Sequence, residues 1–415
     1  MIGPRSRELA VALARVESPG VTTLEPDWPI FWAEAHDATV MDVDGNRYTD
    51  LTAAFGVMSV GHSNPRVADA VALQARRMLH GMGDVHPPAI KVALLEALGA
   101  VTPRGLGRFV LGTNGSDAVE AALKCAELVT GKAGVIAFEG AYHGLSGGAL
   151  SVTSRRDFRD PFAGRLGGAT TFLEFPRTPE AADRVLGELR RKLSSPSSGL
   201  PATGAIIVEP IQGRGGVVVP PAGFVSELRR TCDEHGLLLI ADEVMTGLGR
   251  TGRWFAVDHE GVVPDLLCIG KALGGGMPLS ACAGGDTSLG RWPRATGEAL
   301  HTSTFLGHPG ACAAGLAALA ELQDRDLPGR ARRLGERAMQ RLAGARAVDV
   351  RGRGLMIGVE LESAERAMAV TREALRRGVL VLPSGERGQV LSLTPPLTIA
   401  EDLLDQALDT LVACL

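Results

Sequence analysis

Between residues 70 and 285, short apolar runs alternate with amphipathic segments of roughly 12–15 residues. Most of the runs are continuously apolar, which is typical of strands buried on both faces of a sheet. The pattern predicts βαβ units around a doubly wound, mostly parallel sheet in an α/β fold. The predicted strands are Arg108–Leu111, Val135–Phe138, Ala205–Val208, Leu237–Ala241, Leu266–Ile269 and Leu279–Ala283.

The segments between these runs carry helix and turn signals. Phe224, Leu228 and Cys232 recur at four-residue spacing, and Gly236 is placed to end that helix before the next strand. The tract 194–201 is rich in Ser and Pro, and because a strand follows at once we expect a surface loop within the domain. Near the N-terminus, Asp44-Gly45 predicts a tight hairpin turn.

The pattern changes after about residue 310. An Ala/Leu-rich helix (311–322), a strand (355–361), a helix ending at Gly378, two short strands and a final helix predict a smaller α+β unit. Thr398 and Glu401 stand three residues apart, as in a capping box at the start of that last helix.

Charge and cysteine content limit the classes of partner. The 43 Lys and Arg against 47 Asp and Glu give a net charge of −4 without long runs of one sign, so neither nucleic acid nor a membrane surface is expected as a partner. The six cysteines form no CxxC pair, which favours buried thiols in a reducing compartment and argues against zinc. Without an export signal or an apolar run near ~20 residues, we expect a cytoplasmic protein that acts on small molecules.

A GxGxxG motif is present, but its position does not indicate a dinucleotide-binding site. Gly247–Gly252 matches GxGxxG, but it follows a late strand and leads into Arg253-Trp254-Phe255, where no helical pattern follows. A dinucleotide fingerprint must join the first strand of a βαβ unit to a helix. NAD binding is therefore not expected.

A second glycine-rich turn, at residues 112–115, lies where a strand leads into a helix. The N–H groups of Gly115, Ser116 and Asp117, together with the helix dipole, could hold a phosphate. An ordinary helix start, capped by Asp117 and Glu120, explains the same residues.

Two ionisable residues stand where predicted strands end. Lys271 follows an apolar strand and precedes three glycines, and Asp242 terminates another. Open α/β sheets bind ligands at this edge, although a solvated lysine and a helix-capping aspartate are the ordinary alternatives. A phosphate cup, a buried acid and a lysine at one edge together suit pyridoxal phosphate.

Seven motifs in succession then resemble the class III aminotransferases, which are fold-type I pyridoxal phosphate enzymes, over residues 30 to 410. They are Gly115-Ser-Asp-Ala, Ala141-Tyr-His-Gly144, Val208-Glu-Pro-Ile-Gln-Gly213, Ala241-Asp-Glu-Val244 with GLGRTG, Gly270–Leu279, Ser303–Pro309 and Thr394-Pro-Pro-Leu-Thr398. The resemblance implies a central sheet of the seven-stranded type. It also implies an N-terminal segment (1–69) that belongs partly to the small domain, a large cofactor domain (70–308) and a C-terminal small domain (309–415).

Carried over residue by residue, the resemblance implies the following roles. Lys271 is the Schiff-base lysine and proton carrier, Asp242 partners the pyridine nitrogen, and Tyr142 stacks on the ring with Val244 behind it. Gly115 and Ser116 hold the phosphate, joined by Thr304 from the neighbouring subunit of a homodimer. His143 and Glu209 complete the predicted cofactor contacts.

The substrate positions depart from the family pattern. Leu145 and Ser392 stand where relatives commonly have arginines, and Arg214 stands where they have a glutamate. Arg214 could therefore receive a substrate carboxylate, or it could be a solvated loop residue. Apolar residues that lie near the pocket in relatives (Phe31, Trp32, Phe55 and Met58) favour an acceptor with an apolar body over a simple dicarboxylate.

The expected function is transfer of an amino group from an amino donor to an aldehyde or ketone. Asp117 in the Gly-Ser-Asp-Ala motif and the missing arginine before Pro395 also resemble the racemase and epimerase branch of the superfamily. Racemisation or epimerisation of amino acids or lactams, and an intramolecular aminomutase, are therefore alternatives that motifs alone do not separate.

Overall fold

The computed structural model describes residues 3–167 and 169–415. The strands within those residues, numbered along the chain, are β1 (Trp32–His36), β2 (Thr39–Asp42), β3 (Arg47–Asp50), β4 (Arg108–Gly112), β5 (Gly134–Phe138), β6 (Thr170–Leu173), β7 (Thr203–Val208), β8 (Leu238–Asp242), β9 (Leu266–Ile269), β10 (Ser280–Gly284), β11 (Asp349–Arg353), β12 (Met356–Glu360), β13 (Val379–Leu380), β14 (Leu382–Ser384) and β15 (Val390–Leu393).

A seven-stranded sheet forms the centre of the molecule, in the order β4-β10-β9-β8-β7-β5-β6. Only β10 runs against its neighbours β4 and β9, so the mostly parallel sheet is confirmed. All six predicted strands are present with small shifts of their ends. The sequence analysis missed β6, an edge strand that begins with two half-buried threonines and pairs only with β5.

Both faces of this sheet are buried, which explains the continuous apolar runs. Along β7, Ile206 and Val208 belong to one apolar cluster, and Ala205 and Ile207 belong to another on the opposite face.

The α-helices are Pro4–Val16, Pro65–Arg77, Ala89–Val101, Gly115–Thr130, Gly147–Val152, Arg156–Arg159, Pro179–Ser194, Phe224–His235, Pro309–Asp324, Leu327–Leu342, Ala364–Arg376 and Glu401–Val412, and Ala53–Gly56 forms a single turn. Short 3₁₀ helices span Asp160–Arg165, Ala256–His259, Lys271–Gly274 and Leu289–Arg291.

The predicted helix and loop details are mostly present. Phe224, Leu228 and Cys232 are buried on one helix, and Gly236 ends it in the left-handed conformation. Residues 195–202 form the predicted loop between a helix and β7, and Gly45 turns the β2–β3 hairpin with φ 84°. The prediction of a capping box at Thr398 is wrong. The final helix begins at Glu401, and the Thr398 hydroxyl instead donates to Asp37, 361 residues away.

Two smaller sheets use the ends of the chain. The first has the order β1-β2-β3-β13, in which C-terminal β13 runs parallel to N-terminal β3. The second, β11-β12-β15-β14, is antiparallel. Three short strands (β13, β14 and β15) replace the two expected near residue 380. The domain boundaries at residues 69/70 and 308/309 stay a prediction.

No helix in the described ranges is long and apolar enough to cross a membrane.

Candidate active site

A cavity of about 910 Å³ lies at the carboxyl edge of the parallel strands. Residues at or just beyond the ends of β4, β5, β7, β8 and β9 line it, which is where open α/β sheets bind ligands. Loops from the second small sheet and the Ala53–Gly56 turn complete the wall. The predicted site residues that line the cavity are Phe55, Gly115, Ser116, Tyr142, His143, Glu209, Arg214, Asp242, Val244, Lys271 and Ser392.

Two predicted residues do not line it. Leu145 is 49% exposed and lies beside the cavity, where its N–H donates to the Ser116 hydroxyl at 3.3 Å. Thr304 is exposed and lies outside this chain's own cavity. Of the four apolar N-terminal residues singled out from the sequence, only Phe55 lines the cavity.

The helix Gly115–Thr130 points its N-terminus into the cavity. Asn114 and Asp117 form a reciprocal capping box, in which Asp117 N–H donates to the Asn114 side chain. The ordinary capped helix start offered as an alternative is thus present, but its pair is Asn114 and Asp117; Glu120 instead accepts from the N–H groups of Gly148 and Ala149. Among the described residues, the N–H groups of Gly115 and Ser116 have no acceptor, so two donors at the positive end of the helix dipole are available to an anion.

Glycines keep this corner open. A Cβ on Gly144 would come within 2.0 Å of the Ser116 hydroxyl, and one on Gly115 within 2.9 Å of Val244. Larger residues would push the Tyr142–Gly144 segment or Val244 away from the helix N-terminus.

Asp242 is the last residue of β8 and is only 4% exposed. One carboxylate oxygen lies 2.7 Å from His143 Nδ1, and the other accepts from Val244 N–H at 3.0 Å. Because a carboxylate is an acceptor, Nδ1 carries the proton of the first bond. The remaining ring nitrogen, His143 Nε2, is buried and has no partner among the described residues.

Glu209 follows β7 and lies beside this pair. Its two oxygens accept from Tyr142 N–H at 2.9 Å and Gly213 N–H at 3.0 Å, so it fastens the two loops that carry Tyr142 and Arg214. Burial raises the pKa of the Glu209 carboxyl, and nearby His143 opposes the shift.

Lys271 follows β9 and starts a 3₁₀ turn with a left-handed backbone (φ 41°). Burial lowers the pKa of its amine below the usual value of 10.5. Asp242 and Glu209 oppose this shift, and Arg214 adds to it. The result is an amine that is neutral over a wider pH range than an exposed lysine.

Arg214 lies at the mouth of the cavity, over aromatic rings. Its guanidinium carbon is 4.7 Å from the Tyr142 ring centroid and 5.6 Å from that of Phe158. Arg155 lies 5.2 Å from the Phe158 ring but is also paired with Asp157 at 2.8 Å. Among the described residues, Arg214 has no carboxylate partner of its own, so its charge is available to a ligand.

A strained turn that the sequence analysis missed carries Phe55. Ala53, Ala54 and Phe55 have φ of 45°, 48° and 63°, and Gly56 follows with 81°. A left-handed conformation costs a non-glycine residue about 1–2 kcal/mol, and such strain clusters at functional sites. No residue in this stretch except Gly56 has a sequence preference for it.

Comparison with solved structures identifies the class of protein. An amine transaminase from an uncultivated Pseudomonas species, solved in its PLP-bound form, matches with a TM-score of 0.86 and 30% identity over 96% of this chain and 98% of that chain. The fold and the cavity define a fold-type I pyridoxal-phosphate-dependent transferase.

Sequence comparison defines the family. The class III aminotransferase model matches residues 22–415. An acetylornithine aminotransferase from Methanopyrus kandleri is 41% identical over 94% of this chain and 95% of that protein, and a putrescine aminotransferase from Pectobacterium atrosepticum is 38% identical over 94% and 84%. The chain belongs to the class III aminotransferase family. It is a pyridoxal-phosphate-dependent aminotransferase, an enzyme that transfers an amino group from an amino donor to a keto acid acceptor. The racemase alternative is not favoured.

The residues of the cavity fit this cofactor. Open N–H donors at a helix N-terminus suit a phosphate, a buried carboxylate suits a protonated ring nitrogen, and an amine with a lowered pKa suits an aldehyde. All three groups line the same cavity.

Proposed function

We propose that this cavity is the aminotransferase active site, with Lys271 as the residue that binds the cofactor covalently and moves the proton. The observation that carries the proposal is Lys271 itself: a lysine with a pKa lowered by burial lies in one cavity with buried Asp242 and the open helix N-terminus. Gly115 and Ser116 would hold the phosphate, and Tyr142 and Val244 would flank the ring. His143 would support the acid, and Glu209 would contact the cofactor and hold the loops of Tyr142 and Gly213.

When bound, pyridoxal phosphate supplies an aldehyde that links to amines and a ring that accepts the electron pair of a breaking bond. In its neutral form, Lys271 Nζ can accept a proton from the substrate carbon that bears the amine and return it elsewhere. Asp242 lines the cavity, is held in place by His143 Nδ1 and Val244 N–H, and would hold a proton on the ring nitrogen.

We further propose a homodimer that shares its active sites. Thr304 lies on the surface beside exposed apolar side chains, among them Leu79 (69% exposed), Val85 (59%) and Phe305 (57%). Contacts between Phe305 and His80, at 5.3 Å between ring centroids, join the two segments into one patch. An apolar patch of this kind marks an interface, and a second copy seated on it would receive Thr304 at its phosphate.

The substrate proposal rests on the mouth of the cavity. Ser392 lines the cavity and is buried, so it cannot replace the charge of an arginine there, whereas Arg214 presents a cation over Tyr142. We propose that Arg214 receives a carboxylate remote from the reacting amine, and that the acceptor has an apolar body packed near Phe55. Plain 2-oxoglutarate and succinic semialdehyde would be poor acceptors.

A cytoplasmic location also stays a proposal. It is supported by the six cysteines, all of which are buried and free.

The test is a panel of amino donors given to the holoenzyme, with conversion of the cofactor to its amine form followed by visible absorbance. We expect conversion with wild type, and no turnover with Lys271→Ala, which should still fold and bind the cofactor reversibly. Exchange of the substrate Cα–H for deuterium without conversion would support racemisation instead. Turnover in Lys271→Ala, free of wild-type protein, would refute the assignment of Lys271.

A further inference from the structure

The left-handed turn at 53–56 borders the cavity on the side facing Lys271. Phe55 lines the cavity, and a Cβ on Gly56 would lie 3.7 Å from Cδ of Lys271. Three successive non-glycine residues with positive φ do not persist unless other groups hold them. Two sets of groups hold this turn, one at Asp50 and one at Ser59 and Arg250.

Asp50 holds its first half. This carboxylate is fully buried at the end of β3. One oxygen accepts from Thr52 N–H at 2.7 Å and from the Thr52 hydroxyl at 2.6 Å, and the other accepts from Ala54 N–H at 3.2 Å. The second oxygen also lies 2.8 Å from His62 Nε2.

Arg250 and Ser59 hold the second half. The Ser59 hydroxyl donates to the Gly56 carbonyl at 3.2 Å and accepts from Arg250 at 3.1 Å. Arg250 is only 1% exposed, and its other guanidinium nitrogen donates to the carbonyls of Leu355 and Pro395. The arginine of the GLGRTG motif is thus a structural tie between the turn and the C-terminal part of the chain.

We propose that Asp50 is a positioning residue that determines substrate specificity, because its four hydrogen bonds hold the left-handed turn that places Phe55 on the cavity. The inference rests on the proposed function, since it takes the cavity as the place where substrate binds. With the clamp weakened, residues 53–55 relax toward ordinary φ values and the Phe55 ring leaves the cavity. Amines with an apolar body then lose a contact that small amines never make.

The chain offers a matched control in Asp42. This carboxylate is 3% exposed, lies in the same small sheet and also accepts four hydrogen bonds, from Asp44 N–H, Asn46 and the Tyr48 hydroxyl. It holds the β2–β3 hairpin and contributes nothing to the cavity wall. Asp42→Asn therefore removes an equal carboxylate without touching the turn.

The experiment measures kcat/KM of the holoenzyme for an arylalkylamine and for a small aliphatic amine. We expect Asp50→Asn and Phe55→Ala each to lower the ratio of arylalkylamine to small-amine kcat/KM by at least about tenfold. Asp42→Asn should leave this ratio within about twofold. Ala54→Gly, added to Asp50→Asn, should restore most of the ratio, because glycine adopts the left-handed conformation without a clamp. If Asp50→Asn does not fold, His62→Gln removes one of the four partners and is judged by the same ratio.

The contrary results are distinct. Equal losses on both amines in Asp50→Asn, an equal shift in Asp42→Asn, or no rescue by Ala54→Gly would overturn the inference. Turnover surviving in Lys271→Ala would overturn the proposed function. Loss of turnover in Lys271→Ala with an unshifted ratio in Asp50→Asn would overturn this inference alone.

Discussion

The inner end and the mouth of the cavity are built from different kinds of residue. At the inner end, Asp242, Glu209 and His143 are each no more than 5% exposed and are bound to one another or to backbone N–H groups. At the mouth, Arg214 and Phe55 are exposed and come from a loop and a strained turn. In the proposed active site, the inner end would offer a fixed set of groups to the cofactor, whereas the mouth could vary with the substrate.

The difference has an energetic basis. A buried carboxylate without partners is costly, so the inner residues can change only together. Replacing an exposed arginine that lies over an aromatic ring costs the fold little stability. Residues at the mouth can therefore change one at a time. Substitutions at the two ends should therefore differ in the size of their effects.

The largest effect is expected for Asp242→Asn. An amide cannot hold the ring nitrogen protonated, so turnover should fall by orders of magnitude while cofactor still binds Lys271. Asp265→Asn is the control, because Asp265 accepts from Leu239 N–H at the opposite edge of the sheet and should leave turnover per folded site unchanged. A loss in Asp242→Asn below about tenfold, or ~1.4 kcal/mol, would contradict the role.

Thr304→Ala should weaken cofactor retention by about tenfold to a hundredfold, since a hydrogen bond to a charged oxygen contributes about 1.5–3 kcal/mol. The measurement is dissociation of cofactor in equilibrium dialysis. In a mixed dimer of Thr304→Ala with Lys271→Ala subunits, one site should carry both lesions and the other neither. Absence of an undamaged site would show that the contact does not cross the interface.

Arg214→Glu should raise KM for carboxylate-bearing substrates by more than about tenfold, because repulsion replaces attraction. A simple arylalkylamine should be nearly unaffected. Arg387→Glu, at the same mouth, controls for a general change of charge. Equal losses on both substrates would mean that Arg214 supports its loop, and no loss on either would place the carboxylate site elsewhere.

The smallest effect concerns the pH profile of Lys271 in the apoprotein. Its neutral amine reacts with pyridoxal, so the rate should rise with pH and level off above a pKa below 10.5. Arg214→Gln removes a cation that lowers the pKa of Lys271 and should therefore move the profile to higher pH. Asp242→Asn removes an anion and should move it to lower pH. Shifts of the same sign in both variants would contradict the electrostatic account.

Much of the inner end could be predicted because its signals are local. Strand ends carry Asp242 and Lys271, and the Gly-rich turn before Gly115 leads directly into a helix. The residues of β6 carried no such signal, because an edge strand with polar residues lacks the continuous apolar run.

The mouth could be predicted only in part, because its contacts join distant residues. The aromatic rings under Arg214 come from Tyr142 and Phe158, which lie 72 and 56 residues away in the sequence. The conformation of 53–55 depends on the neighbouring Asp50 carboxylate and Ser59 hydroxyl, which are held in turn by His62 and by the distant Arg250. Such arrangements follow from packing, which single-sequence periodicity does not report.

The pairing of β3 with β13 has a consequence for the order of synthesis. Val379 and Leu380 pair with Thr49 and Asp50, and the Thr394 hydroxyl donates to the carbonyl of Thr52. Lys271, Asp242 and the helix that begins at Gly115 are therefore synthesised before β13 and Thr394, which pair with the segment that leads into the Phe55 turn. Until residues 379–394 have left the ribosome, the segment that leads into the Phe55 turn lacks its partners in β13 and at Thr394.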